Sequence, residues 1–246
     1  MWKLALRNAE SPHVSKGAFG SVIMRDHSKF YAADLMNNIF ATESPIDEKL
    51  LSISAAVDRF EGYLHPHGAR IAAIAGELAK HFNLGSHDRL ALQQAALVHD
   101  IGEMAMDRDY IRANRILTDD ERMDMQRHPV IGEQEAAKRG LPRAVQLLVR
   151  WHHEWWNGMG YPDSLEREQI PLAARILRLA DTYAALTDFR PYNEAIPSAE
   201  AKRYLAEWAG IEFDPRIVAA FLALEGLEEL GSYADSSPEV GGVYAG

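Results

Sequence analysis

From Phe30 onward, apolar residues recur three and four positions apart, and this regularity commits the chain to α-helices packed through apolar faces. Ser44-Pro45 followed by Asp47 and Glu48 predicts a helix start, leading into Leu50, Leu51, Ile53, Ala56, Val57 and Phe60. His65-Pro66 marks a boundary, after which His67, Ile71, Ile74 and Leu78 share one helical face. Another helix is expected from about Asp88 to Asp100, stopping near Gly102. Thr118 with Glu121 makes a capping box for a helix ending near His128; Pro129 then opens a helix that Gly140 closes. Residues 142–153 and 171–188 give two more, separated by a Gly/Pro loop from Asn157 to Pro162, and a last one covers roughly 214–226. No repeat is visible and no strand is convincing, so the expected fold class is all-α.

The 246 residues, 47% of them apolar, suit one large domain with a short extra segment. Residues 1–60 are expected to form a partly helical N-terminal extension, 61–228 the principal domain and 229–246 a flexible tail rich in Gly, Ser and acidic residues. No apolar run reaches the length of a membrane span, and Asn8 and Glu10 stand where a secretory signal needs apolar residues, so a cytoplasmic protein is expected. There are no cysteines, which excludes disulfides, thiolate zinc sites and a cysteine nucleophile. A net charge of −10 argues against binding long nucleic acids. A small phosphorylated substrate stays compatible, because bound cations reverse the local field.

Several of the ten histidines stand where core residues belong. His67 begins an apolar stripe, His99-Asp100 ends one, and the one-turn neighbours of Asp181 are Leu177, Ala184 and Ala185. A carboxylate on such a face is costly to bury unless paired or bound to a cation. Singly each is weak evidence, since a lone His in an apolar stripe is more often a satisfied core residue. Together, His67, His99, Asp100, His128, His152, His153 and Asp181 follow one another on successive helices. Five imidazoles and two carboxylates exceed the three protein ligands of an open zinc site and suit two ions bridged by one Asp and a water. Ligands without sulfur favour iron or manganese, with zinc and nickel still open. Two such ions about 3.5–4 Å apart perform phosphoester hydrolysis.

These residues resemble the HD-GYP family, a branch of the HD phosphohydrolases. The matching segments are His67-Gly-Ala-Arg70, His99-Asp-Ile-Gly-Glu103, His128-Pro-Val-Ile-Gly132, His152-His-Glu-Trp-Trp-Asn-Gly-Met-Gly-Tyr-Pro162, Ala180 through Tyr192, and Phe213-Asp-Pro215. They span about residues 61–225, in order. The resemblance implies a helical HD-domain-type bundle with the two-metal site between helices, hydrolysing cyclic di-GMP to the linear dinucleotide or on to GMP. It implies that His67, His99, Asp100 and Asp181 hold one ion. Asp100 would bridge to a second, completed by His128, His152 and His153, and a bridging hydroxide would attack phosphorus. Arg190 falls at the family's phosphate-clamping arginine, and Gly158, Gly160, Tyr161 and Pro162 match the loop bordering the substrate groove. That loop is also a proposed docking surface for cyclase (GGDEF) domains; homodimerisation is left open.

The chain departs from the pattern at informative positions. The lysine that ends the family's His-Asp-x-Gly-Lys motif is Glu103 here, an anion that should weaken phosphate binding or join the site chemistry. Ala184 replaces an acidic residue, Asn193 a basic one and Asn157 an Asp. Tyr63 stands where some members place a third-metal Glu, so two ions are expected. Catalytic candidates are therefore Asp100, Glu103 and Arg190. A weakly active binding module or a hydrolase of another phosphoester are the competing readings. His13, His27, His65, His81 and His87 match no ligand and are expected at the surface or in structural roles. Trp151, Trp155 and Trp156 favour packing over base stacking, and Glu154 either orients a histidine or is solvated. Arg112 and Arg115 are expected on a solvated face, and Asp107 and Asp109 in an ordinary loop.

Overall fold

The computed structural model describes residues 47–190, 195–224 and 226. In chain order these form α1 (Glu48–Glu61), α2 (His67–His81), α3 (Ser86–Val98), α4 (Ile101–Met106), α5 (Asp119–Met125), α6 (His128–Lys138), α7 (Arg143–Trp151), α8 (Leu172–Thr187), α9 (Ser198–Glu207) and α10 (Pro215–Ala223). Single 3-10 turns occupy Asp109–Arg112 and Arg167–Gln169. Among the described residues there is no strand, only isolated bridges at Asn157–Glu166 and Ala209–Phe213. The all-α expectation holds. The helical onset at Phe30, the rest of residues 1–46, Asn193 and the tail from 229 lie outside the described residues.

The core forms where α2, α3, α7 and α8 pack on one another, with α1, α9 and α10 closing its flanks. Ile71, Ile74 and Leu78 of α2 meet Leu92 and Leu97 of α3, Val145 of α7 and Leu177 and Tyr183 of α8. Each fully buried Leu or Ile contributes about 1.5–3 kcal/mol. The boundary expected after residue 60 falls inside α1, whose Leu50 and Val57 belong to this core.

Two differences from the expected helices position the site. The helix expected to reach Asp100 stops at Val98, and Asp100, at φ −100° and ψ 20°, turns the chain into the separate α4. The break allows α4 to pack on α6, where a Cβ on Gly102 would lie 2.0 Å from the His128 carbonyl oxygen. Only glycine permits that approach. The helix expected to end near His128 stops at Met125, although its capping box is formed: Thr118 Oγ1 accepts from Glu121 N at 3.3 Å and Glu121 Oε2 from Thr118 N at 2.9 Å. Asp47 caps α1 and Asp214 caps α10 in the same way, by accepting backbone N–H groups. Helix α9 was not expected: only Ala201 and Leu205 are buried along it, too thin a stripe to stand out.

Candidate metal centre

Helix termini converge on one point. His67 is the first residue of α2, His99 and Asp100 form the α3–α4 junction, and His128 is the first residue of α6. His152 and His153 follow the last residue of α7, and Asp181 lies within α8. The seven fall into two groups, His67, His99 and Asp181, and Asp100, His128, His152 and His153, with candidate ligand atoms within 4.8 Å of one another in each. The two oxygens of Asp100 face different neighbours. Oδ2 lies 3.2 Å from His99 Nε2, while Oδ1 lies 3.2 Å from His128 Nε2 and 3.3 Å from His152 Nε2. Asp181 Oδ1 is 3.6 Å from His99 Nε2 and 3.9 Å from His67 Nε2.

Hydrogen bonding says which ring nitrogens face inward. Nδ1 of His99, His128 and His152 each donates to the carbonyl three residues back, at Ala96, Met125 and Val149, over 3.0, 2.8 and 2.6 Å. In the neutral rings Nε2 is then a bare acceptor, and the three point at carboxylate oxygens, which are also acceptors. His99 Nε2 and Asp100 Oδ1 are buried without a hydrogen-bond partner. Acceptors crowded together in this way need a cation between them, so the donor set fits divalent ions with oxygen and nitrogen preference. Protons compete for the same lone pairs. Burial alone would lower His99, but Asp100 and Asp181 outweigh it and hold it well above its usual range; His128 is raised likewise by Asp100 against burial. Burial keeps His67 and His152 below the usual range, and His153 lower still beside His152 and Arg178. Burial would raise Asp100, yet the facing imidazoles hold it well below the usual carboxylate range.

The centre opens into a cleft of about 220 Å³. Glu103, Gly160, Tyr161 and Arg190 line it, along with apolar Ile111 and Leu117. Gly158 and Pro162 do not line it; they shape the loop that carries Gly160 and Tyr161. A Cβ at Gly160 would lie 2.2 Å from Trp155 N, and Tyr161 stacks on His153 with ring centroids 4.9 Å apart. The Arg190 guanidinium lies 4.5 Å from the centre of the Tyr63 ring, which itself stacks on His67 at 3.7 Å. Glu154 neither orients a histidine nor faces solvent: it is buried and accepts from Asp163 N and Leu165 N, holding the loop. Trp155 is buried against Trp208, as packing predicts, and His65, His81 and His87 are exposed. Arg115 pairs with Glu121 on an exposed surface, while exposed Arg112 lies over Phe60.

Three side chains at the centre were not singled out in the sequence. Asp188 accepts from His67 Nδ1 at 2.7 Å. Arg178 donates to His153 Nδ1 at 2.9 Å and pairs with Glu212. Glu61, buried at the end of α1, brings an oxygen within 4.8 Å of Asp100 and Glu103, and burial beside those two carboxylates pushes it well above its usual range. Ala184, where the resemblance expects an acidic residue, is fully buried, and the carboxylate that reaches His67 comes one turn later.

A family model described as an HD domain matches residues 51–217. The chain belongs to the HD-domain family. Among curated relatives, the cyclic di-GMP phosphodiesterase response regulator RpfG of Xanthomonas campestris is 34% identical over 78% of this chain and 52% of its own length. The cyclic di-GMP phosphodiesterase PA4108 of Pseudomonas aeruginosa is 34% identical over 82% of this chain and 49% of its own. The chain thus spans about half the length of these relatives. A solved cyclic GMP-AMP specific phosphodiesterase of V. cholerae shares the fold with a TM-score of 0.60 at 20% identity, over 76% of this chain and 51% of that one. The HD-GYP resemblance of the motifs is borne out. Among the described residues, no helix is long and apolar enough to cross a membrane.

Proposed function

We propose that this HD-domain chain is a two-metal phosphodiesterase that hydrolyses cyclic di-GMP to the linear dinucleotide or on to GMP. The observation that carries the reading is the Asp100 carboxylate, one oxygen of which faces His99 and the other His128 and His152, at the floor of a cleft. Two relatives of 34% identity are named for this activity. His67, His99 and Asp181 would hold one ion and His128, His152 and His153 the other, with Asp100 shared. When bound, the ions supply positive charge against the phosphoryl oxygens and lower the pKa of the attacking water. Iron and manganese fit the donor set, with zinc and nickel as alternatives.

The chain's own residues complete the site. Arg190, buried at the cleft wall and held over Tyr63, presents a fork suited to a phosphate oxygen pair. Tyr161 covers His153 and closes the cleft on the loop side. A GGDEF-domain partner would meet this loop, where Met159 is exposed. The protein would act in the cytoplasm.

Glu103 favours a second reading, in which the substrate is another nucleotide or phosphoester. It lines one side of the cleft beside Glu61 and Asp100, and its negative charge opposes a phosphate there. Turnover of a panel of cyclic dinucleotides and a model phosphodiester, with manganese supplied, tests both readings. Preferred cleavage of cyclic di-GMP supports the first, and preferred cleavage of another phosphoester the second. Binding of cyclic di-GMP without cleavage of any substrate would point to a binding module. Under the first reading, Glu103→Lys restores a phosphate-facing cation and raises kcat/KM on cyclic di-GMP roughly tenfold, the worth of one charge-assisted hydrogen bond. No change, or a loss, would contradict the inhibitory role of Glu103.

A further inference from the structure

Three of the candidate ligands orient themselves. His99, His128 and His152 each follow a helical turn, and each spends its Nδ1 proton on the carbonyl three residues back. His67 lacks this option because it begins α2 and follows Pro66. Its Nδ1 instead faces the Asp188 carboxylate at 2.7 Å, at the opposite end of the chain's helical core. The other Asp188 oxygen takes Arg70 Nη1, one turn along α2 from His67. Arg70 Nη1 also lies 3.5 Å from the Ala184 carbonyl, so the start of α2 is tied to the end of α8. With its Nδ1 proton directed at Asp188, His67 turns Nε2 toward Asp181 and the first group of ligands.

Asp188 sits two positions before Arg190. Asp188 is the C-cap of α8, in extended conformation, at the point where the chain leaves the helix for the cleft wall. Arg190 then lies over Tyr63, and Tyr63 stacks on His67 with an interplanar angle of 11°. Contacts thus run from Asp188 through His67 and Tyr63 to Arg190, joining a candidate ligand to the candidate phosphate clamp.

We propose that Asp188 is a positioning residue that fixes the tautomer and orientation of His67 and thereby sets the affinity of the first metal site. The inference rests on the two-metal reading above. A carboxylate that accepts from a ligating imidazole makes the ring a more basic ligand and restrains its rotation, and removing such a partner typically weakens a site by about 10–100-fold. The charge of Asp188 is already matched by Arg70, so it orients His67 without adding net charge.

The test uses the full chain, stripped with chelator and titrated with Mn²⁺, comparing the parent with Asp188→Asn and Asp188→Ala. Far-UV circular dichroism and the thermal midpoint report folding alongside. Asp188→Asn keeps shape and an acceptor but loses the charge; it should fold, keep one site at parental affinity and bind at the other about tenfold more weakly. Asp188→Ala removes the acceptor as well and should weaken the same site further. Parental affinity at both sites in a folded Asp188→Asn would overturn the positioning role while leaving the two-metal reading intact. An equal loss at both sites would also overturn it, as the sign of a general structural role. A parent chain that binds no Mn²⁺ would overturn both.

Discussion

The tautomers of three histidines govern how this centre meets its ions. With Nδ1 committed to backbone carbonyls, every inward Nε2 is an acceptor for which protons and a metal ion compete. His99 and His128 are both raised by their carboxylate neighbours against burial, so metal binding at these rings competes with protons and should release them. Affinity should therefore fall as pH falls and these rings hold their protons more firmly. Mn²⁺ calorimetry in buffers of different ionisation enthalpy measures the release directly; heats that do not depend on the buffer would contradict it. Asp58 carries a separate pH dependence. Burial pushes its carboxyl up to about 7, only partly offset by the hydrogen bond from Gly68 N. A raised folded-state value means the stabilisation is complete below about pH 4 and is lost as pH rises through 7, by about 4 kcal/mol at most. Asp58→Asn retains an acceptor for Gly68 N without a titrating group. Between pH 5 and 8 the metal-free variant should lose less thermal stability than the parent; parallel curves would contradict this.

At the scale of elements, the crossing of α4 and α6 decides where Asp100 and His128 meet. Alanine normally stabilises a helix interior relative to glycine by about 1 kcal/mol. At Gly102 the sign reverses, because the new Cβ would lie 2.0 Å from the backbone oxygen of His128, which cannot give way like a side-chain tip. Gly102→Ala should destabilise the chain by about 1–3 kcal/mol in urea unfolding and weaken Mn²⁺ binding through displaced His128. A neutral or stabilising effect would mean the helices do not cross so closely. The helices with broad apolar stripes, α2 and α8, were legible in the sequence because burial on most faces forces the pattern. Helix α9, with two buried residues, leaves almost none. The break at residues 99–100 was not legible either, because it depends on a packing partner some thirty residues onward, at His128.

For the whole molecule, the seven candidate ligands were readable because each violates a local rule: a histidine or carboxylate where an apolar residue belongs. Asp188 and Glu61 violate none, because each occupies a helix end where polar residues are ordinary. Arg178 does break the apolar pattern inside α8, but its partners His153 and Glu212 are brought to it only by the packed fold. The loop Asn157–Pro162 was recognised as bordering a groove, but only the packed fold separates Gly160 and Tyr161, which line the cleft, from Gly158 and Pro162, which shape it. The same fold makes Asp100 the one residue on which both ligand groups depend. The most direct test is therefore metal content and cyclic di-GMP hydrolysis measured together on the parent and on Asp100→Ala, each purified without chelator and supplied with Mn²⁺. The account predicts about two ions per parent chain with hydrolysis, and in Asp100→Ala a folded chain with depleted metal and no turnover. Hydrolysis that persists in Asp100→Ala, or a fully loaded parent that cleaves no cyclic dinucleotide, would contradict it.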